Sequence, residues 1–472
     1  MKRTALAVLT GLIVCGWGAS ASAADHHGQL SLLQRGEYLA VAADCAACHT
    51  DTESQPMAGG KAISSPLGDI IASNITPSKQ FGIGNYSLQQ FSDVLRKGIN
   101  AEGKNLYPAM PYTSYHNLSD QDIAALYQYF MQGVQSVDRP VPATKLPFPF
   151  DIRMSMKLWN ALFLSDTPFK DNPNLSAQVN RGNYLISALA HCDTCHTPRN
   201  ALMAERSSQA LSGASLGQWY APNITSDKAS GIGGWSDEQL FQYLKTGHAI
   251  GKAQAAGPMA EAVSHSFQYL SDNDLHAIVA SLKQVAPVQT AANATATARK
   301  PVDDEARIRG LAVSSGAPLP AENTAAILYS GNCAACHTLS GEGSYNQYYP
   351  SLLHNTAVSS VNPTNLIATI LFGVHRTVGN NTVTMPAFGP AGYPNTLSFQ
   401  QVAAITNYVR HTYGQQENEH PVTAADIEQL YHGGPKPAIA LLASAWLWGG
   451  AVIVLFLIVV LLVLAIKRGK TS

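Results

Sequence analysis

Cys45-Ala46-Ala47-Cys48-His49, Cys192-Asp193-Thr194-Cys195-His196 and Cys333-Ala334-Ala335-Cys336-His337 write one five-residue pattern three times along the chain. Two thiols at this spacing can reach the two vinyl groups on one edge of a porphyrin and form thioethers. The histidine that follows is then held under the iron as an axial ligand. A redox-active Cys-x-x-Cys would not explain a histidine directly after every pair. Zinc normally draws two such pairs together, and three pairs leave one over. The pattern therefore predicts three covalently bound haems c, attached at Cys45 and Cys48, Cys192 and Cys195, and Cys333 and Cys336. His49, His196 and His337 are then the proximal ligands.

Outward from the first two motifs the flanking sequence repeats as well. Arg35-Gly36-Glu37-Tyr38-Leu39 precedes the first, and Arg181-Gly182-Asn183-Tyr184-Leu185 the second. Asn74-Ile75-Thr76 and Gly82-Ile83-Gly84 recur as Asn223-Ile224-Thr225 and Gly231-Ile232-Gly233, at one offset that also separates Met110 from Met259. The first two units are copies of one domain. The units span 30–135, 178–285 and 322–415, about 100 residues each, near the small end for a stable core. A large apolar porphyrin in each supplies buried surface that side chains alone lack.

Each unit is expected to close with a helix. Ser119 and Asp122 form a capping pattern ahead of Ile123, Leu126, Tyr127 and Phe130 at helical spacing, and Ser271 and Asp274 repeat it before Leu275, Ile278, Val279 and Leu282. Ser398 and Gln401 precede Val402, Ile405 and Val409, and shorter copies start at Ser87 and Ser236. Between units, Pro140 to Pro149 is proline-rich and the linker 286–321 is rich in Ala, Thr and Pro without apolar period. Ile152 to Leu164 carries Met154, Met156, Leu158, Trp159, Leu162 and Phe163, more than an exposed linker needs. It either packs against the second unit or meets a partner or membrane surface.

For the sixth iron ligand, electron-transfer cytochromes commonly use methionine, whose soft thioether raises the potential. Met110, in Tyr107-Pro108-Ala109-Met110-Pro111-Tyr112, and Met385, in Thr384-Met385-Pro386-Ala387-Phe388, each stand beside a stiffening proline ahead of the closing helix. Met259, in Gly257-Pro258-Met259, holds the equivalent place in the second unit. Histidines such as His116, His265 and His375 are the rival ligands. Pro350, after the third motif, is placed to shape the proximal loop and orient His337.

The two ends speak of export and a membrane. Lys2 and Arg3, an apolar run to Trp17 and Ala21-Ser22-Ala23 read as a signal peptide over 1–23, whose removal takes the seventh cysteine, Cys15, with it. No charge lies between Lys436 and Lys467, so 438–466 is expected to be a transmembrane helix, with Trp446 and Trp448 at one interface and Lys467, Arg468 and Lys470 on the cytoplasmic side. The bulk of the chain then faces the periplasm. A net charge of -1 and 13% charged residues give no sign of nucleic-acid binding.

With Asp44-Cys45 to Thr50, Asn74 to Pro77, Tyr107 to Tyr112, His191 to Arg199 and Asp274 to Ile278, the sequence resembles the triheme cytochrome c subunits of membrane-bound periplasmic dehydrogenases of acetic acid bacteria and their relatives, over about residues 30–430. The resemblance implies an all-α fold of three tandem class I-like cytochrome c domains, to which the C-terminal transmembrane helix is added. It implies a catalytic partner subunit, carrying flavin or pyrroloquinoline quinone (PQQ), that oxidises an alcohol, polyol, sugar or sugar acid, with a small third subunit in some complexes. Electrons then run through the haems to ubiquinone. The C-terminal span leans toward the flavin-dependent sugar and sugar-acid enzymes. A haem peroxidase would need one iron with an open sixth site, and each unit here offers a methionine. A membrane-anchored cytochrome subunit of a terminal oxidase fits a C-terminal anchor and three haems less well. No glycine-rich nucleotide fingerprint follows a strand, so no catalytic site for substrate oxidation is expected on this chain.

Overall fold

The computed structural model describes residues 30–291, 321–393, 395–416 and 420–444. The expected signal peptide over 1–23 and most of the linker 286–321 lie outside them. In each unit a leading helix (Leu32–Ala42, Ala177–Tyr184 and Ala321–Asn332) runs into the motif, a middle helix follows (Leu88–Lys97, Asp237–Thr246 and Thr364–Phe372), and a closing helix ends it (Asp120–Gln132, Asp272–Leu282 and Phe399–Thr412).

Two parts of the expected fold class are corrected. The class is mostly helical rather than all-α, because four short antiparallel hairpins brace the loops: Ala62–Ser65 with Gly68–Ile71, Ala214–Ser215 with Tyr220–Ala221, His248–Ala249 with Ala253–Gln254, and Val374–Val378 with Asn381–Met385. Strands of two to five residues are too short to show an alternating pattern. The transmembrane helix over 438–466 is also overturned. Among the described residues no helix is long and apolar enough to cross a membrane. The stretch opens instead as a 3-10 turn over Ala438–Ala443 that ends in extended backbone at Ser444, and its remainder lies outside the described residues.

The repeated Arg-Gly-x-Tyr-Leu explains how the first two units pack. A Cβ on Gly36 would overlap the Ala125 carbonyl of the closing helix, and one on Gly182 would overlap Ala277, so glycine lets leading and closing helices cross in near contact. One residue earlier, Arg35 Nε and Nη2 donate to Asp122 Oδ1 at 2.9 and 2.7 Å. Arg181 Nε and Nη2 donate to Asp274 Oδ1 and Oδ2 at 2.8 and 2.7 Å. Two residues after the glycine, the tyrosine reaches into the other unit. Tyr38 Oη donates to Asp274 Oδ2 at 2.7 Å, and Tyr184 Oη donates to Asp122 Oδ2 at 2.5 Å. The units are thus clasped by a reciprocal pair of Arg-Asp-Tyr triads, and their side chains share one hydrophobic core from Leu39 through Leu126 and Leu185 to Leu282.

The clasp also changes two caps. Ser87, Ser236 and Ser398 form complete capping boxes with Gln90, Gln239 and Gln401. Ser119 and Ser271 accept the N3 amide, but their own amides are not capped by Asp122 and Asp274. Each donates instead to the tyrosine hydroxyl of the other unit at 3.1 Å.

The third unit has its own core, to which the helix Ala424–Tyr431 adds Ile427 and Leu430. It docks on the second unit through polar groups. Asn365 exchanges hydrogen bonds with both backbone groups of Tyr220, Gln268 pairs with Thr377 O and Gly379 N, and Gln218 donates to Tyr431 O. The helix Ser155–Phe163 bridges the first two units. Trp159 Nε1 donates to Leu202 O, and Asn160 holds Tyr112 Oη and Lys97 O, while Leu158 and Leu162 stay exposed on its other side.

Candidate haem sites

Each Cys-x-x-Cys-His folds as a single helical turn, Cys45–His49, Cys192–His196 and Ala334–His337. Asp44 and His191, in left-handed backbone at φ 50° and 38°, turn the chain between leading helix and motif. All six cysteines are half-buried and none is in a disulfide. Burial pushes the thiols of Cys45, Cys192 and Cys333 up to about 12 and Cys48 up to about 11. A redox-active pair needs a thiol lowered toward neutrality, so this environment is the wrong one for disulfide exchange. Among the described residues no three His, Cys, Asp or Glu side chains converge to hold a metal ion.

The histidines are set for one task. His49 Nδ1–H donates to Ser73 O at 2.7 Å, His196 to Pro222 O at 2.7 Å and His337 to Pro350 O at 2.9 Å. Burial lowers the pKa of all three rings, which favours the neutral form. A neutral imidazole whose Nδ1 proton is committed to a carbonyl keeps its lone pair on Nε2, the tautomer and orientation that an axial iron ligand requires. The donor set of two thiols and an oriented Nε2 fits a covalently attached haem.

Sequence reasoning left the Asn-Ile-Thr repeat unassigned, and the structure gives it a role. Asn74 directly follows Ser73, the acceptor for His49, and Asn223 directly follows Pro222, the acceptor for His196. Asn74 Oδ1 accepts Thr76 N and Oγ1 at 2.9 and 2.7 Å, while Nδ2 donates to Val137 O at 2.9 Å, beyond the closing helix. Asn223 repeats this with Thr225 and Val288 O. The carbonyls that orient the histidines are thereby pinned to the far end of their units. Asn74→Ala is expected to cost roughly 1–3 kcal/mol for each buried group left unpaired. Chemical denaturation of the variant checks this, and a midpoint equal to the parent's would reject the pinning role.

Met110 and Met259 are half-buried against the shared core that Cys45 and Cys192 also border, and Met385 borders the third core with Cys333. His265 and His375 are exposed, and His116 donates from Nδ1 to Thr113 O in its own turn. The approaches to the first two motifs meet at Tyr115, whose hydroxyl donates to Ala43 O just ahead of the first motif and whose ring packs edge-on against His191 just ahead of the second, while Ser114 is 3.4 Å from Thr194 within the second.

Comparison with known proteins agrees. The family model described as Cytochrome c matches residues 321–413, and that described as Cytochrome C oxidase, cbb3-type, subunit III matches residues 31–130. The chain is 46% identical to a fructose dehydrogenase cytochrome subunit of Gluconobacter japonicus, over 93% of this chain and 92% of that one. It is 37% identical to the cytochrome c subunit of alcohol dehydrogenase (quinone) of Gluconobacter oxydans, over 92% and 89%, and 36% identical to the gluconate 2-dehydrogenase cytochrome c subunit of Pantoea cypripedii, over 91% and 95%. The oxidase-type match is confined to the first unit, whereas these alignments run through all three. The chain belongs to the family of dehydrogenase cytochrome c subunits, electron-transfer proteins that work through covalently bound haem c.

Proposed function

We propose that the chain carries three haems c and passes electrons from a catalytic dehydrogenase subunit to ubiquinone on the periplasmic side of the bacterial cytoplasmic membrane. The observation that carries this is the threefold recurrence of an attachment turn whose histidine is locked to a backbone carbonyl through Nδ1. Haem supplies one-electron chemistry at iron. The protein's part is to attach it, to hold His49, His196 and His337 on one side, and to offer Met110, Met259 and Met385 on the other. The identity to the fructose dehydrogenase subunit exceeds that to the alcohol and gluconate subunits by about a tenth of the aligned residues, which favours a sugar as the partner's substrate. The partner carries flavin or PQQ, and no substrate oxidation occurs on this chain.

The close approach of the first two motifs supports rapid exchange between their haems, with the second unit, in contact with both others, as the middle of the relay. Met110→Ala, Met259→Ala and Met385→Ala test the ligand set. Each is expected to lower one of three midpoint potentials and to remove one methionine-to-iron charge-transfer contribution from the oxidised spectrum. A redox titration in which Met385→Ala matches the parent would strike Met385 from the set.

A further inference from the structure

Arg376 stands on the hairpin strand Val374–Val378 of the third unit, yet its side chain is buried in the second. Only 3% of the residue is exposed, and no carboxylate pairs with it among the described residues. Nη1 donates to Ala255 O and Nη2 to Gln254 Oε1, both at 2.8 Å, and Nε has no acceptor. A guanidinium remains charged in proteins, so this is a buried cation without a counter-charge. Such a group costs several kcal/mol unless a negative partner meets it. The other deeply buried arginine, Arg410, also has an unpaired Nε, but it stays within its own unit: it lies in the last turn of its helix, where carbonyls attract a cation, and donates to Val361 O.

Comparison of the repeats shows what is unusual. Gly98 and Gly247 end the middle helices of the first two units at corresponding positions, both in left-handed backbone. In the first unit the space over Gly98 is filled by the neutral ring of that unit's own Tyr112. In the second unit the position matching Tyr112 is Glu261, which faces Lys61 instead, and the space over Gly247 is filled by Arg376 arriving from the third unit. The groups around the guanidinium are Tyr243, His248, Gln254 and Ala255, all from the segment that leads directly into Met259.

We propose that Arg376 is the counter-cation of the haem in the second unit, supplied across the domain boundary to a propionate carboxylate, and that it makes the two duplicated units electrically unequal. The inference rests on the proposed placement of a haem at Cys192, Cys195, His196 and Met259. A haem brings the two carboxylates the site lacks. A cation beside it favours the ferrous form, which holds one more electron than the ferric, so the second unit's midpoint is raised relative to the first's. Arg376 acts as a positioning and charge-setting residue, without a bond to iron.

The test uses the full-length protein in its native complex. Spectroelectrochemical titration of the parent and of Met259→Ala first identifies the midpoint belonging to the second unit. Fewer than three haems, or no midpoint moved by Met259→Ala, would defeat the haem placement itself before Arg376 is altered. Arg376→Gln should then lower that same midpoint, toward the first unit's value, by at least the 59 mV that corresponds to a tenfold change for one electron, and leave the other two in place. Arg376→Lys should hold it near the parent value. An unmoved midpoint, a shift in the haem marked by Met110→Ala or Met385→Ala, or an equal fall in the lysine variant would overturn the assignment. If Arg376→Gln loses a haem, Arg376→Lys decides alone: three haems with parent midpoints support the charge, and loss of haem there too assigns Arg376 to packing only.

Discussion

Cys333→Ala is expected to yield a protein with two haems in place of three and a third unit that no longer folds. The third core is built from the leading, middle and closing helices and the helix Ala424–Tyr431, and Cys333, Leu352, Leu353 and Met385 border it only in part. A domain of this size is marginal on side-chain burial alone. A covalently held porphyrin extends the apolar interior along just those half-buried edges, and with Cys333 gone a single thioether at Cys336 is the most that can form, too little to fix the ring over His337 while the unit folds. The pyridine haemochrome assay gives the haem count per chain, and far-UV circular dichroism reports the loss of helix. Because the third unit has a core of its own, the first two haems should remain; the first should keep its potential, while the second, which loses Arg376 along with the third unit, should fall in potential. Three haems in the variant, or collapse of all three, would contradict this picture.

Asp122→Ala should be the most damaging single change outside the motifs. The carboxylate is 2% exposed and takes Arg35 from its own unit and Tyr184 from the other, so truncation leaves a guanidinium and a phenol without their acceptor. Breaking a buried charged pair costs about 3–5 kcal/mol. At roughly 2–4 °C per kcal/mol for 150–250 residues, the first two units should melt on the order of 10 °C lower. Asp274→Ala should behave alike, since it holds Arg181 and Tyr38 in the same way. Asp426→Ala is the control, because Asp426 only completes an exposed capping box with Thr423, worth about 1 kcal/mol. Calorimetry that finds Asp122→Ala no worse than Asp426→Ala would remove the clasp from the account.

These two experiments separate what could be read in the sequence from what could not. Haem attachment is legible because its chemistry is local: thiol, thiol and imidazole must lie within five residues, and nothing distant can supply them. The closing helices are legible for the same reason, through a serine cap and a helical apolar stripe. Asp122 and Asp274 carry the same signal as an ordinary cap, and their actual partners lie 62 and 236 residues away in sequence. The one available clue was that Arg-Gly-x-Tyr recurs in the first two units and not before Cys333. Arg376 offered no clue at all, since a lone arginine in a hairpin is unremarkable until its neighbours are known. The apolar run at the C-terminus misled at its start, where Pro437 precedes a tighter turn than the expected α-helix.

The reciprocity of the clasp has a bearing on how such a chain arose. Each of the first two units donates one tyrosine and receives one at its aspartate, so the contact is isologous, the kind that a single unit makes with an identical copy of itself. A lone ancestral domain bearing arginine, glycine, tyrosine and aspartate at these places already had everything needed to form a homodimer. Holding the two units in one chain replaces a dilution-sensitive encounter with a tethered one. Once tethered, the halves were released from the demand to be identical. One could keep a tyrosine over its glycine while the other surrendered that space to a third domain, so that symmetry survives at the seam and has been lost at the edges.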